Sequence, residues 1–332
     1  MQNSEKLHKI VSVADDNIEQ AESFKRKLEL NDETKAYGSF QELFEDPNVE
    51  IVYVGIVNFL HYKMVMSALD HGKHVLCEKP LGLNVKQVKE MIEKAKEKKR
   101  FLMEACFSRF FPVWAEVRKV MDQKTLGEVT AVHANLAHND YITNPNRFRL
   151  KNGFTTLDTG ATPLLDFGLY TIMLTLWIFY DEKPKKITAI GSKSDIGADV
   201  WSNITLEFSN GRKAFLCYSH ADVFPNSAFI SCTKGHMVMS ESFWCPEKLQ
   251  IIYGNPKYNI KKEFIEHPLK DDPAKYNFTN SAGLKYEADH VYDCIKNGLL
   301  ESDNVTHEFS LTMAEILQEI RKQLEVSLPH DK

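Results

Sequence analysis

Up to about residue 110 the chain alternates short apolar runs with stretches whose apolar residues recur every three or four positions. That rhythm predicts βαβ units and a parallel sheet. Ile10 to Ala14 reads as a strand, and Asn17 as the cap of a helix whose Ile18, Ala21, Phe24 and Leu28 fall near one face. Ser39 and Glu42 form a capping-box pattern that opens a short helix ended at Asp46-Pro47. Ile51 to Val57 is a continuous apolar run of strand length, which predicts a strand covered on both faces. A helix from about His61 to His71 follows, then a strand from His74 to Cys77. Asn84 caps the next helix, with Val85, Val88, Ile92 and Ala95 inward, and Phe101 to Ala105 is the next strand.

After about Pro112 the rhythm changes. Val129 to Ala137, Ile187 to Ser192, Ile204 to Phe208, Ala214 to Ser219, Ala228 to Thr233 and Leu249 to Tyr253 read as short strands separated by turn residues. Asn210-Gly211 is a strong hairpin signal. Helices are predicted around Pro163 to Ile178, Gly283 to Asn297 and, capped by Ser310, Leu311 to Val326. The pattern therefore predicts an α/β chain in two parts, a parallel half over 1–112 and an α+β half over 113–328 built on a large, mostly antiparallel sheet.

Composition narrows the partners. The 332 residues are 43% hydrophobic and 26% charged, an ordinary globular balance, and the formal net charge of -5 offers no field for nucleic acid or an anionic membrane. The apolar run from Leu164 to Tyr180 is broken by Asp166, Gly168, Thr171 and Thr175, short of the roughly 18 clean residues a spanning helix needs. Met1 to Lys9 is polar and mixed in charge, unlike a signal or transit peptide. Six scattered cysteines without a Cys-x-x-Cys pair read as reduced thiols of a cytoplasmic protein. The Asn-x-Thr triplets at Asn203, Asn277 and Asn304 then carry no glycan. No Cys/His cluster has metal-ligand spacing, so no metal is expected.

Ligands of open parallel sheets bind beyond the carboxyl ends of the strands. Two groups sit at such ends: Asn58-x-x-His61 after one strand, and Glu78-Lys79-Pro80 after the next, where Pro80 stops the strand and leaves Lys79 projecting into the crevice. A third lies at the start of the apolar helix, where Asp166 and Tyr170 are four apart and so share a face. Taken singly, each has a bland alternative: a solvated lysine, an aspartate at a helix start, a half-buried core tyrosine.

Together with Met103-Glu104-Ala105 these groups resemble the glucose-fructose oxidoreductase/inositol dehydrogenase (Gfo/Idh/MocA) family. Phe101-Leu-Met-Glu-Ala, Arg109-Phe-Phe-Pro112, Thr233-Lys-Gly235, Trp244-Cys-Pro246 and Tyr286-Glu-Ala, in that order, extend the likeness from about His8 to the C-terminus, toward a branch acting on cyclic diols and aldoses. The resemblance implies a Rossmann domain followed by an α+β substrate and oligomerisation domain, NADP or NAD as cofactor, a small diol or sugar of the trans-dihydrodiol or D-xylose type as substrate, and a homodimer. It implies that Tyr170 is the general base for a secondary alcohol, that Lys79 lowers its pKa or binds the hydroxyl, and that Asp166 orients the pair. Asp16, Asn58, His61, Glu78 and Lys79 are the implied cofactor contacts, with His61 lining the pocket. Phe107 and Phe278, with Phe111 and Trp114, are the implied apolar walls.

The chain departs from this pattern in three places. Family members open with a strand, a Gly-x-Gly-x-x-Gly turn and a helix whose N-terminus holds the pyrophosphate; none of the 15 glycines here forms Gly-x-Gly. Ile10 to Ala14 corresponds to the family's second strand, which implies either a truncated sequence or a variant without ordinary cofactor binding. Asp15-Asp16 stands where the diol-oxidising relatives carry a basic residue, which suits a ribose 2′-hydroxyl better than a 2′-phosphate. Ala161-Thr162 replaces glycines before the Asp166 helix, and Phe107 replaces a tryptophan. The rival expectation is a non-catalytic descendant that keeps the fold and dimerises through its antiparallel sheet.

Overall fold

A computed structural model describes residues 8–143, 157–254, 257 and 260–331. The parallel half contains β1 (Ser12–Ala14), α1 (Ile18–Lys27), β2 (Lys35–Tyr37), α2 (Phe40–Glu45), β3 (Ile51–Val54), α3 (Asn58–Asp70), β4 (His74–Glu78), α4 (Val85–Lys98) and β5 (Leu102–Ala105). Three helices start where a side-chain oxygen accepts a free backbone N–H: Asn17 from Glu19, Ser39 from Gln41 and Asn84 from Gln87. The strands do not form one sheet. β1 and β2 pair in parallel, and β3, β4 and β5 form a separate parallel sheet in that order.

That break corrects the reading of Ile51 to Val57. Pairing stops at Val54, and burial alternates along β3: Val52 and Val54 are buried, while Ile51 and Tyr53 are 36% and 44% exposed. Only one face of β3 meets helices, so only alternate residues are covered. The buried side joins Val65, Leu69, Val75, Cys77, Val88, Met91 and Leu102 in one cluster, against which Val11 packs from the strand-β1 side. Side chains therefore bridge the two small sheets where backbone pairing does not.

The second half begins with α5 (Pro112–Asp122), which Pro112 enters at its first turn. Its sheet has eight strands: β6 (Val129–Ala137), β7 (Lys186–Lys193), β8 (Asp199–Glu207), β9 (Lys213–Ser219), β10 (Ala228–Cys232), β11 (Gly235–Met239), β12 (Lys248–Tyr253) and β13 (Lys261–Glu266). The spatial order is β13-β12-β11-β10-β6-β9-β8-β7. Only β6 and β9 run parallel; every other pair is antiparallel. Asn210 and Gly211 both take positive φ between β8 and β9, as a tight hairpin turn requires. β11 and β13 were not legible: one opens on glycine, and the other, Lys-Lys-Glu-Phe-Ile-Glu, is mostly exposed.

One face of this sheet is covered by a helix that opens as a π-turn, Leu164–Gly168, and continues as α6 (Leu169–Ile178). It is buried nearly all round, which explains its unbroken apolar character. Besides the short helix Asp140–Thr143, two longer helices follow, α7 (Leu284–Lys296) and α8 (His307–Gln323). α8 starts three residues before the predicted cap: the Thr306 hydroxyl accepts from Phe309 N at 3.0 Å, and Ser310 is buried within the helix. It fastens the halves together. Arg321 is 2% exposed, pairs with both oxygens of Asp331 at 2.6 and 2.9 Å, and donates to Leu83 O of the parallel half at 2.8 Å. Gln323 accepts from Ala189 N and donates to Ile187 O of β7, while His307 meets Leu102 O of β5 at 3.0 Å.

Candidate active site

The β4 exit and the π-turn converge. Glu78 ends the strand, and the following Lys79-Pro80 peptide is cis. The segment is held from beneath: Glu104 of β5 accepts from Leu81 N at 2.9 Å, and His61 lies between Pro80 O at 2.9 Å and Ile56 O at 3.0 Å. Lys79 Nζ then donates to Asp166 Oδ1 at 2.9 Å and to Asp166 O at 3.0 Å, and stands 5.1 Å from the centre of the Tyr170 ring. The three residues brought together from sequence positions 79, 166 and 170 thus form one cluster at the strand exits.

Its electrostatics differ from the expectation. Burial alone would pull the Lys79 ammonium down, but the Asp166 carboxylate, then Tyr170 and Glu78, outweigh it, and its pKa moves up. Burial also pushes the Tyr170 phenol up, and the Lys79 charge offsets only part of that. The resting pair is therefore an ammonium clamped by a carboxylate beside a neutral phenol, where the resemblance implied a phenol with a lowered pKa.

Aromatic rings surround the cluster. Phe107 meets Tyr170 edge-on with centroids 6.2 Å apart, Phe278 at 6.3 Å and Phe111 at 5.6 Å. Phe107 is buried and Phe278 is 51% exposed, so the first is a wall and the second stands at the rim. Trp114 is buried in the core, donating to Phe243 O. Trp244 lies 6.3 Å from Tyr170, and Phe167 packs against His138 and His220. Those two histidines were missed. Each follows directly on a strand, β6 or β9, so the strand-exit signal that flagged Lys79 was present for them too.

The remaining predicted contacts are spread out. His61 is fully enclosed and does not line a pocket; burial lowers its pKa, and both ring nitrogens face carbonyls. Asn58 Nδ2 donates to Gly160 O at 3.1 Å, tying the start of α3 to the segment before the π-turn. Glu78 accepts the Tyr53 hydroxyl and the Lys79 backbone N–H. Asp16 is exposed between β1 and α1. Asp199, which sequence reasoning passed over, is 2% exposed and accepts from Leu164 N at 2.7 Å and from Tyr218 Oη at 2.8 Å.

A lysine at the exit of a parallel strand faces an acid and a tyrosine on the helix that covers a large antiparallel sheet, at the place where open α/β sheets bind their ligands. Residues 1–106 match "Oxidoreductase family, NAD-binding Rossmann fold" and residues 114–238 match "GFO/IDH/MocA C-terminal domain". The chain belongs to this GFO/IDH/MocA oxidoreductase family. It is similar to trans-1,2-dihydrobenzene-1,2-diol dehydrogenase of Sus scrofa, with 37% identity over 326 residues covering 98% of this chain and 91% of the relative. The Homo sapiens protein of the same name is 35% identical over 325 residues, again covering 98% and 91%. Among solved structures, an aldose-aldose oxidoreductase from Caulobacter crescentus complexed with glycerol aligns at TM-score 0.78 and 23% identity over 96% of this chain and 90% of that one. A levoglucosan dehydrogenase in complex with NADH and levoglucosan aligns at TM-score 0.80 and 18% identity, covering 98% and 90%. At these identities the two structures speak to the fold.

The family's dinucleotide fits this chain at one end. Lys79, Asp166 and Tyr170 suit the reacting end. The turn from β1 into α1 does not suit a 2′-phosphate: Asp15 Oδ1 already accepts Asn17 N, Asn17 Oδ1 accepts Glu19 N, and Asp15 and Asp16 are acidic, which suits a ribose 2′-hydroxyl. Among the described residues no glycine-rich turn follows a parallel strand.

Proposed function

We propose that this chain is an NAD(P)-dependent dehydrogenase that oxidises a secondary alcohol of a small cyclic trans-dihydrodiol or an aldose of the D-xylose type. The convergence of Lys79, Asp166 and Tyr170 carries the reading. The 1–112 part holds the nucleotide and the 113–328 part supplies most of the substrate walls. Lys79 fixes the substrate oxygen with its ammonium, and Asp166 holds that ammonium in place. Tyr170 exchanges the hydroxyl proton at its Oη; the nicotinamide, when bound, supplies the hydride acceptor. His61 and Glu104 act from beneath, keeping the Lys79-Pro80 segment in register. The aromatic rings around Tyr170 exclude water and suit an apolar ring face.

The phenol direction fixes the pH dependence. A base whose pKa is raised is scarce at neutral pH, so oxidation rates should climb with pH from 7 to 9, while the reverse reduction stays nearly flat. Tyr170→Phe should lower kcat for oxidation by about 10²–10⁴-fold. Unchanged kcat in the folded variant would rule out the tyrosine as proton carrier.

Ala161-Thr162, standing where the family has glycines before the Asp166 helix, favours a second reading, a family scaffold without cofactor binding. Titration with NADH and NADPH, read by nucleotide fluorescence and thermal stability, separates the two, since a ligand that binds only the folded chain must stabilise it.

A homodimer through the open sheet face belongs to the same proposal. Cross-strand register places Thr205, Phe215, His133, Phe229, Val238, Gln250 and Phe264 in one row on that face. Phe215, Phe229 and Phe264 are 40%, 41% and 62% exposed. Phe215→Asp combined with Phe229→Asp should shift the mass in light scattering from dimer to monomer. A cytoplasmic location accords with six free cysteines, four of them buried, and fractionation of cells tests it.

A further inference from the structure

Lys79 depends on Asp166, and Asp166 depends on the π-turn that carries it. What holds that turn comes from the large sheet it packs against, at the start of β8. Leu164 opens it: its carbonyl accepts from Leu169 N, the five-residue bond that defines a π-turn, while its own N–H points away. That N–H ends on Asp199 Oδ2 at 2.7 Å. The same oxygen accepts the Tyr218 hydroxyl at 2.8 Å, and Asp199 is 2% exposed.

Three features aim the carboxylate. The pairing of β7 with β8 slips between Ser192 and Lys193, opposite Asp199, so two residues face one and the strand end is turned. The tight turn before it is closed by Ser194 N to Ala198 O at 2.8 Å, with Gly197 at positive φ. On the other side, Gly168 lets Tyr218 lie flat against the turn: a Cβ there would stand 2.6 Å from the Tyr218 ring. Glycine is needed at 168 for this close approach, since its φ of -56° is ordinary.

We propose that Asp199 is a positioning residue for the proton-transfer site, gripping the first N–H of the π-turn so that Asp166 faces Lys79. This rests on the proposed role of Lys79 and Tyr170 but concerns a residue that touches neither. Asp199 acts through a short path: its carboxylate fixes Leu164, two residues on Asp166 presents both its side chain and its carbonyl to one ammonium, and Tyr170 lies one turn beyond. Without the grip, Leu164 N–H is left in an apolar interior, and the turn is free to rewind into an ordinary α-helix. Rewinding rotates Asp166 off Lys79.

The test uses the full chain and reads Lys79 directly. Trace-level competitive acetylation followed by mass spectrometry, at one fixed pH of about 9, below the lysine range, gives the reactivity of Lys79 relative to surface lysines. The charged and titratable groups that act most on Lys79 are Asp166, Tyr170 and Glu78, and His61 also feels its charge. In Asp199→Ala the relative reactivity of Lys79 should rise at least about tenfold, as a one-unit fall in its pKa requires. Oxidation kcat should fall at least tenfold with little change in KM. Asp199→Asn, whose amide oxygen still accepts from Leu164 N, should restore both. If Asp199→Ala does not fold, Tyr218→Phe, which removes one of the two bonds to Asp199 Oδ2, should give a smaller rise in the same direction. A folded Asp199→Ala, or failing that a folded Tyr218→Phe, whose Lys79 reacts as in the parent overturns the proposal. A parent chain with no oxidation activity sinks the dehydrogenase reading instead, while the Lys79 reactivity still decides the role of Asp199.

Discussion

The two halves of this molecule hold their strands in different ways. In the C-terminal half, eight strands of five to nine residues form one continuous ladder, closed on one face by α6. In the N-terminal half, five strands of three to five residues fall into sheets of two and three, joined by side chains alone. Backbone pairing makes a ladder cooperative, whereas a cluster of side chains between two short ladders leaves β3 with an unpaired edge. The contrast teaches that the residues proposed to react are mounted asymmetrically. Tyr170 and Asp166 stand on the continuous sheet's helix, Lys79 on the shorter, divided framework.

The largest test of that contrast removes what ties the halves together. Arg321→Ala breaks a buried pair with Asp331 and strips Leu83 O of its donor, and should cost about 3–5 kcal/mol in urea unfolding. It should also split one transition into two, the parallel half melting first. A single transition with less than about 1 kcal/mol lost would show that the halves are coupled by packing elsewhere. An intermediate effect is expected in hydrogen exchange. Amides of β1 and β3 should exchange at least about tenfold faster than those of β8 and β9, because local opening follows the shorter, less connected ladders. Equal protection would mean that the break between the small sheets has no energetic consequence. The smallest effect concerns the exposed side of β3. Ile51→Thr should change stability by no more than about 0.5 kcal/mol, as at ordinary surface sites. A loss of about 2 kcal/mol would place Ile51 against a partner in solution.

Much of the fold was legible because its elements obey local rules. Asn17, Ser39 and Asn84 cap helices by their own side chains, and Asn210-Gly211 turns a hairpin whatever surrounds it. The residue pair at β4's exit was legible for the same reason: Pro80 ends a strand and leaves Lys79 beyond it. The misses share a different cause. Ile51 to Val57 was read as doubly covered because apolar composition says nothing about which neighbours are present to cover it. The Ser310 cap failed because Thr306 had an equivalent oxygen four residues earlier, and only the fold of the preceding loop chooses between them. His138 and His220 sat unremarked at strand exits because their partner, Phe167, is distant in sequence from both.

By itself the sequence determined the alternation of elements and the change of rhythm near Pro112, which depend on periodicity, caps and strand ends acting over a few residues. Lys79, Asp166 and Tyr170 stood out as site residues only through the family resemblance of the motifs around them. Tertiary structure alone decided that Lys79 reaches Asp166 at 2.9 Å, that burial pushes the Tyr170 phenol up against the pull of the Lys79 charge, and that Asp199 pins the turn between them. Charge state and hydrogen-bond partnership depend on how much water is excluded and on which distant groups approach, and both are set only when the chain has packed.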